Sequence, residues 1–208
     1  MSGPDWLPGD ADDGTAPSLD QWMRRQLLDR RVVLVTGELD DRAANEVGAS
    51  LMTLDATGDQ PVTMRIDCSG GSIGAALALI DVIDLLGVPV DAWCSGQAVG
   101  PPVGVFAACR QRTMAPHARL GLFEPTMEAH GDASRIQLLA AAHHDQWKAF
   151  CGRLAQLSGQ TVQRILDDAG RGLFLTGTEA VAYGLADEVA DAGTRLAPLS
   201  HRQVGFGN

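Results

Sequence analysis

The sequence predicts an α/β domain with a largely parallel sheet. Apolar β-runs end in glycine-rich stretches that open into small-residue helices, once from Ile66 through Gly70-Gly71 into Ile73, and again from Val88–Cys94 into Pro102. The two units lie close together in sequence, and βα repeats of this kind favour parallel strands. Hydrophobic residues make up 45% of the chain but aromatic residues only 5%, which suits close packing of small side chains between helices and sheet.

Taken in order, residues 1–17 are rich in Gly, Pro and Asp, carry Asp10, Asp12 and Asp13, and are expected to be disordered. Ser18 suits a helix N-cap, with Leu19, Trp22, Met23 and Leu27 at apolar spacing. Val32–Val35 reads as a strand. Asp41 can cap a following helix whose apolar positions are Ala44, Val47, Leu51 and Leu54, ended by Gly58-Asp59. Val62, Met64 and Ile66 alternate along a strand leading to Gly70-Gly71, where paired glycines allow a tight turn. Ile73–Leu86 is helical, Val88–Cys94 a strand, and Pro102–Cys109 helical. A long helix spans about Ser134 to Leu157, with Ile136, Leu139, Ala140, His143, Trp147, Phe150, Leu154 and Leu157 in helical period. Thr161 caps a short helix that Gly170-Arg171-Gly172 breaks. Thr176 and Glu179 have capping-box spacing for a helix that Gly184 ends. Residues 191–208 form a tail without a readable signal, leaving 18–190 as one domain.

The chain has 208 residues, enough for one sizeable core. With 16 Lys plus Arg against 26 Asp plus Glu, its formal charge is −10, which argues against nucleic acid. No apolar run approaches the roughly 20 residues of a membrane span, and no signal peptide is visible at Met1–Asp5, so a cytoplasmic location is expected. Cys68, Cys94, Cys109 and Cys151 have no C-x-x-C pairing and read as small buried hydrophobes. His117, His130, His143, His144 and His201 have no metal-ligand spacing, and neither a metal nor another cofactor is expected.

The stretch I-D-C-S-G-G-S-I-G-A, followed by G-Q-A-V-G-P-P-V-G-V-F-A-A-C, resembles the ClpP family, the proteolytic subunit of the ATP-dependent Clp protease. Its patterns are N-S-P-G-G and G-Q-A-A-S-M-G-A, with the Ser as nucleophile. The resemblance covers about Leu19 to Val189. It implies a ClpP/crotonase-like spiral of ββα units with a protruding handle helix, assembled as a heptameric ring or double ring. Gly96-Gln97-Ala98 align without a gap, and Gly100 stands at the nucleophile. Pro101 stands where the next residue would give an oxyanion N–H, which proline lacks. Gly71 matches the other oxyanion donor. In Arg119-Leu120-Gly121-Leu122-Phe123-Glu124-Pro125, Phe123 replaces the catalytic His. In Arg171-Gly172-Leu173-Phe174-Leu175-Thr176, Gly172 replaces the Asp. The resemblance therefore implies the scaffold without its Ser-His-Asp triad: a catalytically inactive, structural or regulatory subunit, homo- or hetero-oligomeric with ClpP-like subunits.

The family's axial-pore hairpin has no counterpart in residues 1–17. The long helix takes the place of the handle that docks two rings. At about 24 residues, roughly 36 Å, it would expose too much apolar surface if uncommitted, so an oligomer contact is expected. Aromatic positions of the pocket that receives the Clp ATPase loops correspond to Thr63, Arg65 and Thr113, and apolar ones to Ala115 and Ala190. The last three assignments assume a two-residue deletion near Cys109-Arg110. Each loss of a large apolar side chain removes about 1.5–3 kcal/mol of burial, so ATPase docking is expected to fail.

Ser69, Ser72, Cys94 and Ser95 are the candidates for a substitute nucleophile. Each would need a base in reach, and the nearest histidine by sequence, His117, aligns outside the pocket, so turn-capping and hydroxyl–backbone bonding are the expected roles of these serines. Besides an unrelated binding module that uses a ring surface for a partner, two other classes stay open. One is an active serine endopeptidase subunit, as the family name implies. The other is a crotonase-like acyl-thioester enzyme with Glu124 as base, which would need two backbone oxyanion donors.

Overall fold

Alternating β-branched and aliphatic residues build the central strands of the sheet, each followed by a helix that covers its apolar face. The computed structural model describes residues 19–191. The disorder expected for 1–17, the Ser18 cap and the tail beyond Asp191 lie outside the described residues. The element order is α1 (Leu19–Leu28), β1 (Val32–Leu39), α2 (Asp41–Ala56), β2 (Val62–Gly71), α3 (Ile73–Leu85), β3 (Val90–Val99), α4 (Pro102–Ala108), β4 (Gln111–Met114), β5 (Arg119–Leu122), α5 (Ala133–Ser158), α6 (Val162–Arg171), β6 (Leu173–Thr176), α7 (Gly177–Tyr183) and β7 (Glu188–Val189). The fold is α/β. Strands β1, β2, β3, β4 and β7 lie side by side and parallel, while β5 pairs with β3 and, antiparallel, with β6.

The alternation in β2 resolves as expected: Met64, Ile66 and Cys68 are buried, whereas Thr63 and Arg65 lie on the other face. Ala44, Val47, Leu51 and Leu54 bury the inner face of α2. Several boundaries differ from expectation. Asp40, not Asp41, is the N-cap of α2, its Oδ1 accepting from Ala43 N at 2.7 Å. An extended cap residue aims its carboxylate at the first helical N–H groups, which Asp41, already helical, cannot do. Most of each glycine-rich stretch is strand rather than turn, and only Gly100, after β3, has turn geometry. Gly70 and Gly71 continue β2 against Glu38 and Leu39, and β3 runs on through Gly96-Gln97-Ala98 to Val99. Hydrogen bonds from neighbouring strands hold the glycines extended. Gly170 lies within α6, which ends at Gly172. Trp22 and Met23 of α1 are exposed rather than core-facing.

β3 changes partner midway: Asp91–Cys94 pair with β4, and Gln97–Val99 with β5. At the change, Oδ1 of Asp67 on β2 accepts from Gln97 N at 3.1 Å, and its carboxylate fills the space a side chain at Gly96 would need. The β2–β3 register slips at the same place, between Ile66 and Cys68.

The C-terminal half of α5 packs through Trp147, Phe150, Cys151 and Leu154, while its first turns, including Ile136, Leu138 and Leu139, are exposed. α6 and α7 are joined by buried Asp168, which accepts from Tyr183 Oη at 2.7 Å and pairs with Arg171 at 2.5 Å. Burial opposes ionisation of this carboxyl, but the Tyr183 hydroxyl and the guanidinium groups of Arg171 and Arg164 outweigh it and hold its pKa below the usual range. A lowered folded pKa gives stability that is complete above the unfolded carboxylate range and lost as pH falls through the folded value. Asp168→Asn should therefore cost about 1–3 kcal/mol at pH 7, and the gap between variant and wild type in urea unfolding should narrow as the pH falls below about 4.

Candidate functional site

The second half of β3 delivers Gly100 to the start of α4, where the chain turns with φ +66°. Gly100 N donates to Gly121 O at 2.7 Å, and Gly100 O accepts from Val103 N at 3.0 Å. This ties the residue to β5 on one side and to α4 on the other. A β-carbon would have room there, the nearest atom being Phe123 O at 3.7 Å, but the left-handed backbone would strain it. Pro101 is already helical, at φ −54° and ψ −35°, and opens α4 together with Pro102. A helix start tolerates proline because the first N–H groups have no intrahelical acceptor. The same substitution removes an N–H that would point out of the helix start.

Phe123 follows β5 and Gly172 precedes β6, so the antiparallel pairing of these strands brings them together. A β-carbon on Gly172 would lie 2.6 Å from Phe123 Cε1, and the backbone at Gly172 is left-handed with φ +72°. Phe123 also stacks edge-on against Phe174, with centroids 5.0 Å apart, and Gly121 lies beneath both rings. The sequence-expected positions Gly100, Phe123 and Gly172 thus meet in one place. The side chains there are an aromatic pair and absent ones, which can hold apolar surface but move no proton.

Gly71 lies in β2 opposite Leu39, where a β-carbon would sit 2.6 Å from Leu39 O, so a side chain is excluded. The nearby serines are engaged. Ser72 Oγ caps α3 by accepting from Ala75 N at 3.0 Å, Ser69 Oγ donates to Gly37 O at 3.4 Å, and Ser95 Oγ accepts from Arg65 Nη2 at 3.0 Å. His117 is exposed just before β5, and Glu124 is exposed beside Phe123.

All four cysteines are buried. Burial pushes Cys68 up to about 11 and Cys94 up to about 12, with the Asp67 carboxylate adding to both. Cys151 rises to about 12 by burial with help from Glu124, and burial raises Cys109 as well. A thiol nucleophile needs the reverse shift.

The positions expected to form the ATPase-loop pocket lie on the outer sheet face or at its edge. The register places Arg65, Trp93, Thr113 and Glu188 in one row across β2, β3, β4 and β7. Arg65 reaches Ser95, and buried Thr113 donates through Oγ1 to Glu188 Oε1 at 2.9 Å. Thr63 and Ala115 are half-buried and Ala190 is buried. Sequence reasoning missed the Thr113–Glu188 and Arg65–Ser95 links, because each joins residues far apart in the chain. Also missed was the filling of the Gly172 space by Phe123. Its signal was present, in a large residue gained at one position and a glycine at the other.

Comparison with known proteins places these positions in context. The family model described as Clp protease matches residues 17–193. The chain is 36% identical over 169 residues to the ATP-dependent Clp protease proteolytic subunit 2 of Chlamydia trachomatis serovar D, covering 79% of this chain and 82% of the relative. It is 34% identical over 170 residues to the ATP-dependent Clp protease proteolytic subunit 4 of Rhodococcus jostii, covering 80% and 88%. Subunit 1 of Chlamydia felis is 32% identical over 170 residues, covering 80% and 84%.

Two outcomes follow from the packing. Gly172→Asp should destabilise the protein by about 2–4 kcal/mol, combining left-handed strain with a clash against Phe123. Phe123→Ala should return the clash part, so that a double-mutant cycle in urea gives a coupling of about 1–2 kcal/mol. Native protein at pH 7.5 should leave its four thiols unreacted with a disulfide reagent over minutes, and all four should react once it is unfolded.

Proposed function

The chain belongs to the Clp protease family, and from that premise we propose that it is a non-hydrolytic subunit that builds or regulates a ring of ClpP-like chains. One observation carries the reading: the Phe123 ring fills the space over Gly172, so the positions matched by resemblance to the base and its orienting acid form an apolar contact. Gly100 offers no nucleophile, and Pro101 no N–H for an oxyanion. A serine peptidase that loses one triad member keeps a residual rate through binding and its oxyanion donors. Here that remnant is reduced as well, because only Gly71 of the two donor positions has an N–H.

The same loss weighs against a crotonase-like enzyme, which needs both donors. The subunit role draws support from α5, whose first turns expose Ile136, Leu138 and Leu139 where the resemblance puts the handle between rings. The ring could be heptameric, single or double, made of this chain alone or shared with active relatives. The polar links Arg65–Ser95 and Thr113–Glu188 support the reading that Clp ATPase loops do not dock on this chain's sheet face. A cytoplasmic location belongs to the same reading.

The purified chain should cleave fluorogenic peptides no faster than buffer. Its intact mass should stay unchanged after incubation with a serine-directed acylating probe. Turnover that survives dilution and is stopped by the probe, with an added acyl mass on the chain, would refute the proposal.

A further inference from the structure

The first turns of α5 stand clear of the rest of the chain. Residues 133–142 are all exposed, and a helical stretch this short is marginal in water without a packing partner. The face turned away from Trp147, Phe150 and Leu154 is a stripe at helical spacing, made of Arg135, Leu138, Ala142 and Asp145. Leu138 is 69% exposed. Among the described residues, neither the Arg135 guanidinium nor the Asp145 carboxylate has an ion-pair partner. These two are also the only Asp, Glu, Lys or Arg residues between 133 and 147.

We infer that this stripe binds the same stripe of a second copy of this chain, the two α5 helices lying antiparallel about a two-fold axis at Ala140. Both pairs of positions are symmetric about residue 140. In that register Arg135 of each copy faces Asp145 of the other, and Leu138 faces Ala142, so each contact is made twice. The small Ala142 leaves room for the exposed leucine, and the opposed charges complete the ends. A parallel pairing would set Arg135 against Arg135 and Asp145 against Asp145, which repel. The pattern therefore selects like with like, because a chain with other residues at these four positions would leave Arg135 and Asp145 unpaired. One helix pair of this length buries less surface than a stable interface needs, so the contact gains strength when repeated around a ring. In this it rests on the subunit reading above, to which it adds the partner at α5: another copy of this chain rather than an active relative.

Cross-linking of the full chain tests the pairing, since the four native thiols are buried. Chains carrying Arg135→Cys are mixed with chains carrying Asp145→Cys and oxidised with copper–phenanthroline, beside each variant alone. The mixture should form a disulfide-linked dimer about ten-fold faster than either variant alone. In unmixed pairs the two cysteines lie ten residues out of register, roughly 15 Å apart along the helix, whereas the mixed pair aligns them and keeps one Arg135–Asp145 contact intact. Charge reversal gives a second readout. Arg135→Asp or Asp145→Arg alone should raise the concentration for half-assembly about ten-fold, and the two variants mixed in equal amounts should restore it. Cross-linking no faster in the mixture than in either variant alone would overturn the pairing. So would reversed charges that leave assembly unchanged. The native mass of the wild-type chain tells the two failures apart: ring-sized species without the cross-link would remove only this pairing, whereas a monomer would remove the subunit reading with it.

Discussion

The Asp67 carboxylate holding Gln97 N against β2 is the constraint on which the architecture turns. It sits where β3 leaves β4 and takes up β5, and it occupies the space that a side chain at position 96 would need. Gly96 is therefore required by packing rather than by a turn. Because β3 can change partner there, its second half carries Gly100 towards β5, and β5 in turn pairs with β6. Phe123 and Gly172 flank that last pairing. Gly100 is thus placed directly by the β2–β3 clasp, Phe123 through β5, and Gly172 through β5 and β6.

Within that frame the site is a set of mutually adjusted contacts. A side chain at position 172 and the ring at 123 cannot both stand in the present geometry, so either change constrains the other. Pro101 is compatible with the helix start that displays it, and its cost falls only on chemistry that would need the missing N–H. Well-packed apolar contacts and a satisfied backbone are what a stable scaffold needs. At positions 100, 123 and 172 they leave no hydroxyl, imidazole or carboxylate. On the opposite side of the sheet, in the row from Arg65 to Glu188, Arg65 is bonded to Ser95 and Thr113 to Glu188, whereas the Trp93 indole N–H is buried without a partner.

The strand and helix alternation was legible because it follows from local pattern: Met64 and Ile66 on one face of β2, Ala44 through Leu54 on one face of α2, and the Thr176–Glu179 capping box. The meeting of Gly100, Phe123 and Gly172 was legible through the family resemblance, which carries tertiary information that periodicity lacks. What pattern alone misread were the glycines. Gly70, Gly71 and Gly96 were expected in turns, yet they are strand residues; Leu39 at Gly71 and Asp67 at Gly96 approach too closely for a β-carbon, whereas Gly70 has open space beside it. Such approaches are set by neighbouring strands, and a single stretch of sequence does not display them. The Asp40 cap was misplaced by one residue for a simpler reason, since two adjacent aspartates offer the same chemistry and only backbone conformation separates them.

The most direct measurement is native mass spectrometry of this chain, alone and co-expressed with an active ClpP subunit from the same cell. The account predicts ring-sized assemblies, of this chain alone or of both chains together. A monomer in both samples would contradict it, because a scaffold without chemistry and without assembly would have no role left in a ring.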